Sequence, residues 1–129
     1  VCASPAYVAR HGPPATPGEL AAHRCLAFRL PTSGRARPWD FSVDGVSRTY
    51  LPPTSVVMDE GEALVAAAAA GLGLAQVPGY MAEEALRPGA LVEALAAFRP
   101  PPLPISIVYA SGRQVTPRLR ALLDLLTGA

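Results

Sequence analysis

The chain is 129 residues long and half apolar, with a formal net charge of only +1. That balance excludes a disordered chain and gives no sign of a nucleic-acid or membrane-binding surface. The length suffices for one domain burying roughly two-thirds of its unfolded surface.

In chain order, Val1-Cys2-Ala3 reads as the end of a strand. Ser4-Pro5 is an N-cap followed by Pro at the first helical position, and Gly12 ends that short helix. Thr16-Pro17-Gly18-Glu19 has capping-box spacing and opens a second short helix running to about His23. Cys25 to Phe28 is a strand candidate, and Pro31 to Pro38 a loop. Asp44-Gly45 between Trp39–Val43 and Val46–Leu51 is a two-residue hairpin signal, closed by Pro52-Pro53.

Ser55 to Pro78 is the most informative stretch. Ser55 to Met58 reads as a buried strand, Asp59 as the cap of an alanine-rich helix with Glu62 at the box position, and Gly71 as its terminator. Leu72 to Val77 is the next strand, so the unit is βαβ with its two strands expected parallel and side by side. A helix over Tyr80 to Leu86 follows, then a turn at Arg87-Pro88-Gly89 and a strand over Leu91 to Leu95. Pro100 to Pro104 is a stiff connector, and Ile105 to Ala110 a further strand. Thr116-Pro117 opens a last helix, whose Leu119, Leu122, Leu123 and Leu126 form one apolar stripe that must dock, and Gly128 closes it. Alternating strands and helices make the fold class α/β.

The two cysteines, Cys2 and Cys25, do not make a disulfide framework and read as buried thiols in a reducing cytoplasm. No apolar run reaches the ~18 residues of a membrane span. The chain opens at Val1 without an initiator Met, and is expected to be a fragment.

The residues resemble the effector-binding domain of LysR-type transcriptional regulators. Ala3 to Pro14 is similar to that family's "ASPAYLARHGxP", and Pro17 to Leu26 to its "P-x-x-L-x-x-H-x-C-L". Ser33-Gly34 through Phe41 resembles "SGR…PWxF", Asp59 to Pro78 resembles "NDGEALVAAALAGLGIAxLP", and Thr116 to Arg120 resembles "SPRVRAFxDFL". The resemblance implies a two-lobed, type 2 periplasmic-binding-like fold with an effector between the lobes. Residues 1 to 90 would be the second lobe, and 91 to 129 a segment returning to the first. It implies a small organic effector, a homodimer or tetramer in the intact protein, a cytoplasmic location, and DNA contact only through an N-terminal helix-turn-helix that this chain lacks. A periplasmic solute-binding protein shares the fold and is the rival reading.

Ligands in open α/β sheets bind beyond the carboxyl ends of strands. Two loops fit that rule and match family segments lining the effector cleft: Pro31-Thr32-Ser33-Gly34 and Met58-Asp59-Glu60-Gly61. Thr32 and Ser33 could donate hydroxyl hydrogens to a carboxylate, or serve only as turn residues. Asp59 and Glu60 replace the family's Asn and Asp, which opposes an anionic ligand and favours a neutral one or one with a donor group. Both Asp59 and Glu62 also have a plain explanation as caps.

Other chemistries find little support. Gly71-x-Gly73 closes a helix and opens a strand, the reverse of the dinucleotide fingerprint. Cys2, His11, His23 and Cys25 lack the close pairs of zinc sites, and a His stacking or bonding to backbone is the expected role. Ser33 has no G-x-S-x-G context, so no catalytic residue, metal or cofactor is assigned, and no enzyme activity is expected. Tyr7, Trp39 and Tyr80 read as half-buried anchors. Arg118 and Arg120 are expected at the surface.

Overall fold

The computed structural model describes residues 1–109 and 115–128. Its centre is a five-stranded sheet in the order β5-β2-β6-β1-β7, formed by β1 (Cys2–Ala3), β2 (Cys25–Phe28), β5 (Thr54–Met58), β6 (Leu74–Ala75) and β7 (Val92–Glu93). β2 runs parallel to both β5 and β6, while β1 runs antiparallel to β6 and β7. A separate antiparallel ladder joins β3 (Trp39–Val43) to β4 (Val46–Tyr50). The helices are α1 (Pro5–His11), α2 (Gly61–Ala69), α3 (Gly79–Leu86) and α4 (Pro117–Thr127), with 3-10 turns at Pro17–Ala22 and Ala96–Phe98.

The expected βαβ unit is present, with one difference. β5 and β6 are parallel to one another but not neighbours, because β2 lies between them. The α2 crossover therefore skips one strand position. β5 is consequently an edge strand, and Ser55 and Val57 are exposed where a buried strand was expected. Pro52 and Pro53 immediately before it suit an edge, where a missing amide breaks no central ladder.

Strand alternation divides the core in two. Ala3, Cys25 and Leu74 face one side, packing with Tyr7, Leu20, Trp39, Phe41, Ala94 and Leu95 under α1 and the hairpin. Their neighbours Cys2, Leu26 and Ala75 face the other, with Leu64, Ala67, Ala68, Ala82 and Leu91 under α2 and α3. The alanines of α2 let it lie close to the sheet, and Gly73 brings β6 onto the Arg24 carbonyl oxygen, to which the Leu74 amide donates at 2.8 Å.

Local signals fared unevenly. Ser4 Oγ accepts from the Tyr7 amide at 3.1 Å, and Thr116 Oγ1 from the Leu119 amide at 3.3 Å, as capping residues should. Asp44 and Gly45 both take positive φ, 51° and 74°, which the two-residue hairpin turn requires. The Thr16 box does not form. Pro17–Ala22 winds as a tighter 3-10 turn, Thr16 makes no side-chain cap bond, and the Glu19 carboxylate accepts instead from the Ala15 amide at 2.8 Å. Nor does Asp59 cap α2. The N-cap is Glu60, also without a side-chain bond, and three residues on from it stands Ala63.

The stretch from residue 91 starts inside this body: Val92–Glu93 pairs with β1, and Leu91, Ala94 and Leu95 are buried. The strand expected over Leu91 to Leu95 is short because Leu95 adopts a left-handed conformation, φ 56°, and leads into the second 3-10 turn. Ile105 to Tyr109 is not a strand, having no ladder partner among the described residues, and Ala110 lies outside them. α4 forms as expected, yet none of its residues is buried. Leu103, Ile105, Val108 and Leu125 are each at least 75% exposed. Tyr7 and Trp39 are fully buried rather than half-buried, whereas Tyr80 is exposed. Arg118 and Arg120 are at the surface.

A candidate effector site at the carboxyl edge of the sheet

Because β2 and β5 are parallel with Phe28 opposite Met58, their carboxyl ends leave the sheet side by side. The Arg29 amide donates to the Met58 carbonyl at 2.7 Å, fastening the two exits together. Both loops singled out in the sequence therefore lie on one edge. Pro31-Thr32-Ser33-Gly34 is the tip of a tight excursion: the Leu30 amide donates to Arg35 O and the Gly34 amide to Leu30 O, both at 2.8 Å, and Arg29 bridges Ala36. Gly34 sits at φ +67°, which that turn requires. Ser33 Oγ accepts from the Arg35 amide at 3.3 Å and keeps its own hydrogen free to donate. Thr32 is exposed at the tip.

On the other side Met58 ends β5, Asp59 and Glu60 are exposed, and Gly61 opens α2. A Cβ at Gly61 would meet Met81 Sδ at 2.7 Å and Cε at 3.1 Å, so the first turn of α2 is in close contact with α3. Met81 is a flexible tail, and Gly61→Ala should therefore cost only about 1 kcal/mol, read as a small drop in urea midpoint.

Sequence reasoning overlooked a third set of residues at the same edge. β6 is parallel to β2, so Gln76, Val77 and Pro78 leave on that side too, followed by the exposed Tyr80 of α3. The strand-end rule that picked out the first two loops applies equally to this one. Gln76 acts as a substitute strand partner for the hairpin. Its Oε1 accepts from the Asp40 amide at 3.0 Å, and its Nε2 donates to Asp40 O at 2.8 Å. Thr49 Oγ1 then donates to the Asp40 carboxylate at 3.0 Å, extending the tie to β4.

Of the residues weighed for other chemistry, Cys25, His11 and His23 lie around Tyr7 and Cys2 lies apart. Cys2 and Cys25 face opposite sides of the sheet. Burial pushes the Cys2 thiol up and that of Cys25 up to about 11. Thiolate is the reactive form, so both should resist alkylation in the folded chain at pH 8 and label quickly in urea, which mass spectrometry would resolve. His11 stacks on the Tyr7 ring with centroids 4.3 Å apart, and His23 Nδ1 lies 3.1 Å from the Tyr7 hydroxyl. Among the described residues no three His, Cys, Asp or Glu side chains converge on a possible metal position. None of the described helices is long and apolar enough to cross a membrane.

Comparison with known proteins places this architecture. Residues 1–129 match the LysR substrate binding domain. The chain is 33% identical over 129 residues to an Escherichia coli K12 HTH-type transcriptional regulator, YhjC, covering 98% of this chain and 42% of that protein. It is also 33% identical to the HTH-type transcriptional regulator CrgA of Neisseria meningitidis, with the same two coverages. The solved structure of the CrgA regulatory domain superposes with a TM-score of 0.77 at 31% identity, over 98% of this chain and 62% of that one. The chain thus spans about two-fifths of the length of these curated relatives. Its sheet and helices share the type 2 periplasmic-binding-like fold of LysR regulatory domains, and the chain belongs to the LysR substrate-binding domain family.

Proposed function

We propose that the chain serves as the second lobe, with a returning segment, of a domain that senses a small organic effector and adjusts the DNA binding of a LysR-type regulator. The observation that carries this is the convergence of Pro31–Gly34 and Met58–Gly61 on one sheet edge, fixed by the parallel pairing of β2 with β5. The entry to β1 and the exit from β7 lie on that same edge, since β1 is antiparallel to β6 and to β7. The first lobe, joined through those two points, would face the loops across a cleft. The burial of Leu91, Ala94 and Leu95 and the prolines from Pro100 to Pro104 favour a boundary near residue 100 over the expected one at residue 90.

The effector shifts the population of two lobe arrangements, and the intact oligomer reads that shift out at its helix-turn-helix heads. The relatives' names, which are those of transcriptional regulators, favour this over solute transport, and a cytoplasmic location goes with that reading. Sensing needs differential affinity for two arrangements and no bond-making, so the domain acts without catalysis. Asp59 and Glu60 make a neutral or amine-bearing effector the better fit.

The exposed apolar side chains between Leu103 and Leu126 are, on this reading, the face that packs on the rest of the first lobe. The 129-residue chain should therefore self-associate, and removal of residues 101–129 should leave a monodisperse, cooperatively folding body, as sedimentation would report. Loss of folding on that truncation would count against the boundary.

The effector reading is tested by a thermal-shift screen of neutral and amine-bearing metabolites against the intact regulator. A compound at a hundredfold its Kd stabilises by about 2.7 kcal/mol. Its shift should collapse in the Thr32→Ala/Ser33→Ala and Asp59→Ala variants. An equal shift in those variants would place the ligand elsewhere.

A further inference from the structure

We propose that Tyr7, His11 and His23 form a proton-operated clasp fastening α1 to the start of β2, and that protonation of His23 opens it. Tyr7 is buried (1% exposed), and its hydroxyl has two partners. The Arg24 amide donates to it at 3.0 Å, and His23 Nδ1 lies 3.1 Å away. An amide can only donate, so the hydroxyl hydrogen must go to His23, which then holds its own proton on Nε2. Adding a proton at Nδ1 sets two donors against each other and leaves a buried hydroxyl hydrogen with no acceptor.

The surroundings reinforce this. His11 stacks on the opposite partner, the Tyr7 ring, with an interplanar angle of 21°, and its Nδ1 is 3.1 Å from the Tyr7 carbonyl. A carbonyl only accepts, so His11 carries its proton on Nδ1 whether neutral or charged. The titratable groups that act on His23 are His11 from α1 and Glu19 from the 3-10 turn, with Arg24 next to it in the chain at the approach to β2. Burial first, and then the His11 charge, hold the His23 imidazole below its ordinary value, while Glu19 opposes them. The folded chain therefore binds fewer protons than the unfolded chain. The clasp is fully stabilising above the ordinary histidine value near 6.5 and is lost as pH falls through and below it.

Trp39 is the only tryptophan and shares the Tyr7 core, so it reports opening. On the chain, amide exchange at Arg24, corrected for its intrinsic rate, and Trp39 emission would be followed from pH 7.5 to 5. Protection at Arg24 should be lost and the emission should shift red as the solution is acidified. His23→Gln keeps an acceptor for the hydroxyl without titrating, and should flatten both curves. Tyr7→Phe should return the His23 NMR titration midpoint towards its ordinary value. A His23→Gln chain with the unaltered pH response would overturn the clasp. Should that variant not fold, a wild-type His23 midpoint at or above 6.5 would overturn it instead.

Discussion

Phe41→Ala should destabilise the domain by about 3–5 kcal/mol, enough to abolish folding if the parent stability is at the low end for its size. Phe41 is 1% exposed and is the innermost residue of the hairpin, with its ring edge-on to Tyr50 at a centroid distance of 5.7 Å. It packs in the same cluster as Tyr7, Leu20 and Trp39, so truncation opens a cavity that rigid neighbours on three elements cannot close. Urea denaturation followed by Trp39 emission would measure the loss. A change below 1 kcal/mol would mean that the hairpin is not part of the cooperative core.

Gly73→Ala should cost about 2–4 kcal/mol, by overpacking rather than cavity formation. A Cβ there would collide with the Arg24 carbonyl oxygen and lie 3.0 Å from its carbon. That oxygen accepts from the Leu74 amide, so relief of the clash pulls β6 off β2 and breaks the ladder that aligns their carboxyl ends. Both partners are backbone in the middle of the sheet and neither can rotate away. Contrast Gly61, where the obstacle is the end of a methionine. Comparing the two alanine variants in one urea series would separate backbone collision from side-chain contact. Equal costs would contradict the close approach of β6 to Arg24.

The sequence announced the βαβ unit because its signals are local: a β-branched strand at Val56-Val57, an acidic helix start, alanines, then Gly71 and a second apolar run. It did not announce that β2 would insert between the two strands, since strand order depends on long-range pairing that no local spacing encodes. Asp59 looked like a cap because Glu62 stands three residues on, but the helix begins at Gly61, where Gly61 meets Met81 of α3. That is tertiary packing overriding a local motif. Gln76 shows the same limit from the other side. Its hydrogen bonds reach a residue 36 positions away, and nothing near residue 76 marks it. The exposed leucines of α4 were legible as a stripe needing a partner, and the partner proposed for them rests on the family resemblance.

The proposed sensing role depends on the two loops at the carboxyl edge. A structure of the intact regulator with its effector bound tests that most directly. The ligand should touch Thr32 or Ser33 from one strand end and Asp59 to Gly61 from the next, with the first lobe closing over it. A ligand seated away from this edge, with both loops open to solvent, would contradict the assignment.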